Sequence, residues 1–254
     1  EGAVNGRSEM KKTLSQLKHK KLTSDKMKKL INELNKPSVN SKLDDIQKAA
    51  VREMTRKFER NYNIPDELIM EISKQSSKAE EKWEKAKEKS DFDIFLPHLK
   101  TQIELHKKKA EYIDYENEPF DALLDEYQPG LTAKKVENLF NPTIKKLKKI
   151  IDRLLSEGKK PERDIFKGKK FDVNKQIKLC KEITNKMGFD YQHGRLDEIA
   201  HPYTFGIEDD VRITNSYSKE NVGSIFSAMH EAGHGLYEQG ISEDLYGTCL
   251  SYPL

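Results

Sequence analysis

The segment 230–234, which reads H-E-A-G-H, constrains this chain more than any other feature of its sequence. It lies within residues 222–239, a run with the character of a helix. On a helix, two histidines four residues apart project from one face, so that both imidazoles can bind the same tetrahedral zinc ion. Glu231 flanks that metal without binding it and can accept a proton from a water that the metal activates. The segment therefore predicts a metal site with His230 and His234 as ligands and Glu231 as the catalytic base.

A catalytic zinc usually takes a third protein ligand, and the nearby acidic residues are poor candidates for it. Glu238 is four residues after His234, but three residues at steps of four spread over about 12 Å of helix axis at 1.5 Å per residue. Three such side chains cannot converge on one ion, so we expect Glu238 to have a structural role or to support a ligand. Glu243 and Asp244 follow the helix-ending Gly240, and the sequence does not indicate their direction.

Two groups of polar residues precede the metal helix. His201 lies in a His-Pro-Tyr segment without helical period, where a lone histidine is more often structural. Asp210, Arg212 and Thr214 alternate with apolar residues, which indicates a half-exposed strand with all three on one side. A solvated strand face is the simplest interpretation of that pattern. Because both groups lie within about thirty residues of the metal helix, they are candidates for substrate binding or for support of the metal ligands.

Long helices dominate the sequence pattern before residue 190, so the predicted fold class is mainly α. Charged residues make up 35% of the chain and hydrophobic residues another 35%, which suits amphipathic helices with one apolar stripe each. Residues 189–204 show no helical period, and 211–217 predict a strand. We expect residues 1–190 to form a helical groove wall and 191–254 a catalytic segment of one continuous domain. The predicted helices cover residues 14–34, 43–62, 68–89, 91–114, 132–155 and 172–188.

Charge and composition exclude several function classes. The net charge is only +3, because 46 Lys and Arg nearly balance 43 Asp and Glu, and this gives no electrostatic case for nucleic acid. The chain has no apolar run near membrane-spanning length and no signal-peptide pattern. Two cysteines, Cys180 and Cys249, do not make a disulfide framework. We therefore expect a cytoplasmic protein that binds neither nucleic acid nor membrane.

Taken together, these motifs resemble those of the carboxypeptidase Taq family of H-E-x-x-H zinc metallocarboxypeptidases. The motifs occur in the family's order, and the resemblance covers at least Tyr112–Gly247. Tyr203 stands where the family has a phenylalanine in its His-Pro-Phe motif. The matching segments are 112–116, 120–125, 129–130, 201–203, 210–214 (D-x-R-x-T) and 230–240.

The resemblance implies a zincin-like architecture of long helices with a deep groove, a small sheet beside the metal helix and, usually, a homodimer. It also implies that members are about twice as long as this chain. In them, a glutamate of a downstream His-Glu-Ser motif is the third zinc ligand, and two later motifs shape the cleft and hold the substrate carboxylate. None of these motifs is in the sequence, so the chain looks like an incomplete N-terminal half.

The resulting prediction is a carboxypeptidase that uses zinc, with cobalt as a substitute, to remove C-terminal residues from peptides. His201 and Arg212 would position the substrate or support a ligand, and Asp210 would orient either Arg212 or a ligand histidine. Two alternatives stay open. One is a zinc endopeptidase or oligopeptidase with the same metal chemistry, and the other is an inactive helical fragment that lacks the third ligand.

Overall fold

The structure, a computed structural model, describes residues 4–159 and 166–251. The predicted mainly α fold is confirmed, with a small sheet that directly precedes the last long helix. The helices are α1 Val4–Leu22, α2 Asp25–Leu34, α3 Pro37–Asn40, α4 Asp45–Tyr62, α5 Asp66–Lys89, α6 Leu96–Ile113, α7 Pro119–Tyr127, α8 Ala133–Glu157, α9 Val173–Met187 and α10 Gly223–Gln239. The strands are β1 Gly194–Glu198, β2 Thr204–Ile207 and β3 Asp210–Asn215. Short 3-10 helices cover Phe92–Ile94 and Glu243–Leu245.

Local capping chemistry explains why several of these helices begin and end where they do. The side chain of Asp172 accepts a hydrogen bond from the backbone N–H of Lys175 at 3.0 Å, and so caps α9. The same helix ends at Gly188, whose φ of +105° favours glycine. Thr132 caps α8 in the same way, through the backbone N–H of Lys135 at 3.3 Å. These caps confirm the sequence predictions for both helices.

The chain divides into two compact units, residues 1–152 and 153–253, and α8 crosses the division. The first unit is helical, with α1, α5 and α6 packed side by side. His19 of α1 is buried there, with Nδ1 2.7 Å from Asp66 Oδ1 and Nε2 3.1 Å from the carbonyl oxygen of Asn61. The predicted division into a groove wall and a catalytic segment near residue 190 stays a prediction, as does the groove.

Helix α8 carries an apolar stripe that the described residues leave exposed. It has 25 residues, and none of them is buried. Large side chains at three- and four-residue steps are each half exposed or more, as expected for an amphipathic helix without a partner on its apolar face. These side chains are Leu139, Phe140, Ile144, Leu147, Ile150, Ile151, Leu154 and Leu155. No helix within the described ranges is long and apolar enough to cross a membrane.

The second unit contains a three-stranded sheet of order β1-β3-β2. β1 runs parallel to β3, and β2 runs antiparallel to it. β3 was expected from its alternating pattern. Residues 189–204, where the sequence indicated only that a helical period is absent, contain β1 and the start of β2. β1 reads G-R-L-D-E and buries only Leu196, so its own sequence carries too little apolar periodicity to indicate a strand.

In the core of the second unit, α10 packs against one face of the sheet and α9 packs against α10. Val211 and Ile213 of β3 are fully buried, and their alternation places both on that face. They join a cluster that also contains Ala228 and Ala232 of α10. The central strand therefore fixes the position of the helix that carries H-E-A-G-H.

Candidate metal centre

Helix α10 presents one small, apolar face to the core and carries both histidines on its exposed side. It covers Gly223–Gln239, close to the predicted span of 222–239. Ala228 and Ala232 lie one turn apart and are fully buried, whereas His230 and His234 lie one turn apart on the exposed side. Because the helix has 3.6 residues per turn, the two alanines lie on the face that packs against the core, and both imidazoles point away from that face.

Buried hydrogen bonds fix the beginning of α10. Asn215, at the end of β3, donates from Nδ2 to the carbonyl oxygen of Ser224 at 2.9 Å. The hydroxyl of Ser224 donates to Oε1 of Gln176 on α9 at 2.6 Å. All three side chains are buried. Removing one of them would leave a buried polar group of another without a hydrogen bond and out of reach of water. The first turn of the metal helix is therefore tied to the sheet and to α9.

The two glycines of the motif region have different surroundings. A Cβ atom at Gly235 would come within 2.7 Å of Cε2 of Phe189 and 3.0 Å of Cγ2 of Ile213. A Cβ atom at Gly233 would meet nothing within 4 Å. Close packing therefore favours a glycine at position 235, whereas Gly233 borders open space.

The two predicted metal ligands converge. Nε2 of His230 lies 3.2 Å from Nε2 of His234. Two nitrogens bound to a tetrahedral zinc at about 2.05 Å each would be about 3.3 Å apart, so the spacing fits two ligands of one ion. Among the described residues, no group of three or more His, Cys, Asp or Glu side chains could hold a metal ion. Within the described residues, His230 and His234 are therefore two candidate ligands without a third.

Glu231 is buried beside this pair, and one hydroxyl contacts its carboxylate. Oγ1 of Thr204 on β2 lies 2.7 Å from Oε2 of Glu231 and 2.9 Å from the carbonyl oxygen of Glu231. Thr204 was not among the residues that the sequence singled out. The two residues are 27 positions apart, and only the packing of β2 on α10 brings them together.

Glu238 packs over β2, one turn beyond His234. Its Oε2 would lie 2.9 Å and its Cβ 3.1 Å from a Cβ atom at Gly206, so a larger residue there would require Glu238 to shift. Burial raises the pKa of Glu238, and the nearby imidazole of His234 acts in the opposite direction. This position agrees with the expected structural or supporting role.

Asp210 and Arg212 do not approach the histidine pair. They alternate with Val211 and Ile213, so they lie on the sheet face opposite α10. The guanidinium of Arg212 donates from Nη2 to Oδ2 of Asp210 at 2.7 Å and from Nε to Oδ1 at 3.0 Å. The structure thus pairs Asp210 with Arg212, and the expected role of Asp210 in orienting Arg212 or a ligand histidine stays a prediction. A role of either residue in substrate binding stays a prediction.

His201 and Thr214 flank the start of β2. His201 is exposed and lies between β1 and β2, and its proposed contact with substrate stays a prediction. Thr214 is buried, and its Oγ1 accepts from the backbone N–H of Tyr203 and donates to the carbonyl oxygen of Tyr203, both at 2.7 Å. Thr214 therefore fixes the backbone directly before Thr204.

Comparisons with known proteins identify the family and several relatives of this chain. A family model for carboxypeptidase Taq (M32) metallopeptidases matches residues 1–252. Carboxypeptidase 1 of Bacillus subtilis (strain 168) is 38% identical over 234 residues, which are 90% of this chain and 46% of that protein. Thermostable carboxypeptidase 1 of Thermus thermophilus is 36% identical over 249 residues, 92% of this chain and 48% of that protein. The chain spans about half the length of these relatives.

Solved structures also match this chain over almost its whole length. The crystal structure of BsuCP matches with a TM-score of 0.93 and 36% identity, over 98% of this chain and 50% of that one. The carboxypeptidase of Pyrococcus furiosus matches with a TM-score of 0.83 and 35% identity, over 97% of this chain and 50% of that one. The M32 carboxypeptidase of Deinococcus radiodurans R1 matches with a TM-score of 0.80 and 28% identity, over 97% and 49%.

Proposed function

The chain belongs to the carboxypeptidase Taq (M32) metallopeptidase family, and on that premise we propose that the protein containing it is a zinc-dependent carboxypeptidase that releases C-terminal amino acids from peptides. The observation that carries the proposal is the 3.2 Å approach of Nε2 of His230 to Nε2 of His234, with Glu231 between them on the same helix. Membership of a metallopeptidase family implies a metal ion. Two imidazole donors favour zinc, and cobalt is the expected substitute.

The residues divide the chemistry between them. His230 and His234 would hold the ion, which would polarise the scissile carbonyl and acidify the attacking water. Glu231 accepts the proton of that water as it attacks, and then donates the proton to the leaving amine. Glu231 is buried, so its carboxylate lies outside bulk water. Charges interact more strongly there than in water, because the dielectric constant is lower.

Two parts of the activity would come from outside the described residues. A catalytic zinc usually has three protein ligands, and the described residues supply two. An exopeptidase also needs a cation, ideally an arginine fork, for the terminal carboxylate of the substrate. Because the relatives are about twice as long as this chain, we place both groups in the other half of the complete protein.

The cellular setting is part of the same proposal. We propose a cytoplasmic location, as expected for a sequence whose two cysteines, Cys180 and Cys249, do not make a disulfide framework. We also propose that the complete protein is a homodimer, as the family resemblance implies. Gel filtration with light scattering on the complete protein tests the dimer, and a monomeric mass would contradict it.

The decisive experiment compares two peptides that differ only at their C-terminus. The complete protein, loaded with zinc, should release amino acids stepwise from a peptide with a free carboxylate. The amidated peptide should be cut at least about 100-fold more slowly, because the cation would then lack its partner. Removal of the metal by a chelator should abolish cleavage of both peptides, and added zinc should restore it.

Two outcomes would favour the alternatives. Equal cleavage of the free and amidated peptides would indicate an endopeptidase or oligopeptidase with the same metal chemistry. The second alternative concerns residues 1–254 alone, because the described residues hold no third ligand. A polypeptide limited to these residues should bind zinc weakly and show little or no peptidase activity. Tight stoichiometric zinc binding with peptidase activity in that polypeptide would contradict this alternative.

A further inference from the structure

A threonine hydroxyl on the strand beside the metal helix contacts the catalytic base. Oγ1 of Thr204 lies 2.7 Å from Oε2 of Glu231, an ordinary distance for an O–H···O hydrogen bond and one that a hydroxyl donating to a carboxylate also adopts. The register pairs Thr204 with Ile213, which faces α10, so the pleat directs Thr204 towards the helix as well. The register of β2 on β3 therefore determines the position of Thr204 beside Glu231.

The backbone that carries this hydroxyl is held firmly. Thr214 makes two side-chain hydrogen bonds with the backbone of Tyr203, each 2.7 Å long. The backbone N–H of Thr214 also donates to the carbonyl oxygen of Tyr203 at 3.0 Å. These three bonds tie the residue directly before Thr204 to the central strand. A fixed strand can therefore impose a fixed position on the carboxylate that it contacts.

A hydroxyl suits this position because it both donates and accepts. It can donate to Oε2 when Glu231 is a carboxylate. When Glu231 carries a proton, its O–H can donate to Oγ1, and the hydroxyl hydrogen of Thr204 can turn to the carbonyl oxygen of Glu231 at 2.9 Å. The contact thus persists in both forms that a general acid–base passes through.

We infer that Thr204 is a positioning residue, which holds Oε2 of Glu231 so that Oε1 faces the attacking water. This inference rests on the proposed function, because it concerns the geometry of the base in peptide hydrolysis. A glutamate on a helix has three rotatable side-chain bonds, and a general base works only within hydrogen-bond reach of the proton that it removes. A hydrogen bond that fixes Oε2 removes much of the rotational freedom of the Glu231 side chain.

The test compares three variants in the complete zinc-loaded protein. Thr204→Val keeps the shape of the side chain and removes the hydroxyl, Thr204→Ser keeps the hydroxyl, and Thr204→Ala removes it without adding a methyl group. We expect the Val and Ala variants to lower kcat by about 10- to 100-fold, with little change in KM and in zinc content. The Ser variant should stay within a few-fold of the wild type. Thr101→Val, on α6, is the control and should leave kcat unchanged.

The outcomes separate this inference from the proposed function. A wild-type protein without metal-dependent carboxypeptidase activity would overturn the proposed function and the role of Thr204 with it. An active wild type with equally active Val and Ala variants would overturn only the role of Thr204. A loss of kcat that Thr204→Ser shares would also overturn that role, because the hydroxyl would then not be what matters.

Discussion

Gly235 lies directly against Phe189, so closely that a Cβ atom at Gly235 would come within 2.7 Å of ring carbon Cε2. Phe189 is buried in the core and cannot swing away into solvent. Gly235→Ala should therefore lower the free energy of unfolding of the second unit by about 1–3 kcal/mol. Gly233→Ala is the matched control, because open space surrounds Gly233 and alanine favours a helix over glycine by about 0.5–1 kcal/mol. Urea unfolding followed by circular dichroism measures both, and equal effects of the same sign would contradict the packing.

Glu231 should be essential for catalysis and dispensable for metal binding. We expect Glu231→Gln in the complete protein to lower kcat by about 10²- to 10⁴-fold, since a general base contributes a factor of that size. Zinc content, measured by atomic emission, should stay at the wild-type level. Glu182→Gln, at an exposed glutamate of α9 that pairs with Lys186, is the control and should keep full activity. Loss of zinc in Glu231→Gln would mean that Glu231 is itself a ligand.

His230 and His234 should contribute jointly to metal affinity. Removing even a residue that supports a ligand weakens metal binding about 10- to 100-fold, so His230→Ala and His234→Ala should each weaken zinc binding by more than about 100-fold. Competition with a chromophoric chelator measures the affinity in the complete protein. The exposed His193, on the turn before β1, provides the control His193→Ala. An unchanged affinity in either ligand variant would exclude that histidine from the site.

The ion pair of Asp210 and Arg212 should be visible in a pH titration. The hydrogen bond and charge of Arg212 lower the pKa of Asp210 below its ordinary value, against a smaller opposing effect of burial. Because the pKa is lower in the folded protein, the pair stabilises the fold above the unfolded pKa of Asp210. That contribution disappears as the pH falls through the folded pKa. The effect on stability should be small, since both side chains are exposed.

Arg212→Gln should therefore raise the pKa of Asp210 towards its ordinary value, which carboxyl NMR measures directly. Arg195→Gln is the control, because Arg195 pairs with Asp197 and affects Asp210 only weakly. A pKa of Asp210 that does not respond to Arg212→Gln would contradict the observed pairing.

Local patterns predicted the elements that carry their own periodicity or caps. The bounds of α10, the strand β3 and the cap of α9 by Asp172 all follow from residues within a few positions of each other. The histidine pair belongs to the same class, because a four-residue spacing on a helix fixes its geometry. These features needed no knowledge of tertiary structure.

The features that the sequence did not reveal depend on distant contacts. β1 and β2 are short strands, and both pair only with β3, which lies between them. The alternation in β3 placed Asp210 and Arg212 on one side, but no local signal indicates that α10 packs on the other. The contact of Thr204 with Glu231 depends on both of these facts, and so it escaped sequence analysis.

The exposed stripe of α8 has a practical consequence for anyone who handles residues 1–254 as an isolated polypeptide. Hiding one large apolar side chain from water is worth about 1.5–3 kcal/mol, and α8 offers eight such side chains, from Leu139 to Leu155. The isolated polypeptide should therefore enhance the fluorescence of an apolar dye and elute earlier from gel filtration as its concentration rises. Leu147→Lys together with Leu154→Lys should weaken both signals, which would make the doubly charged variant the better reagent for spectroscopy and crystallisation.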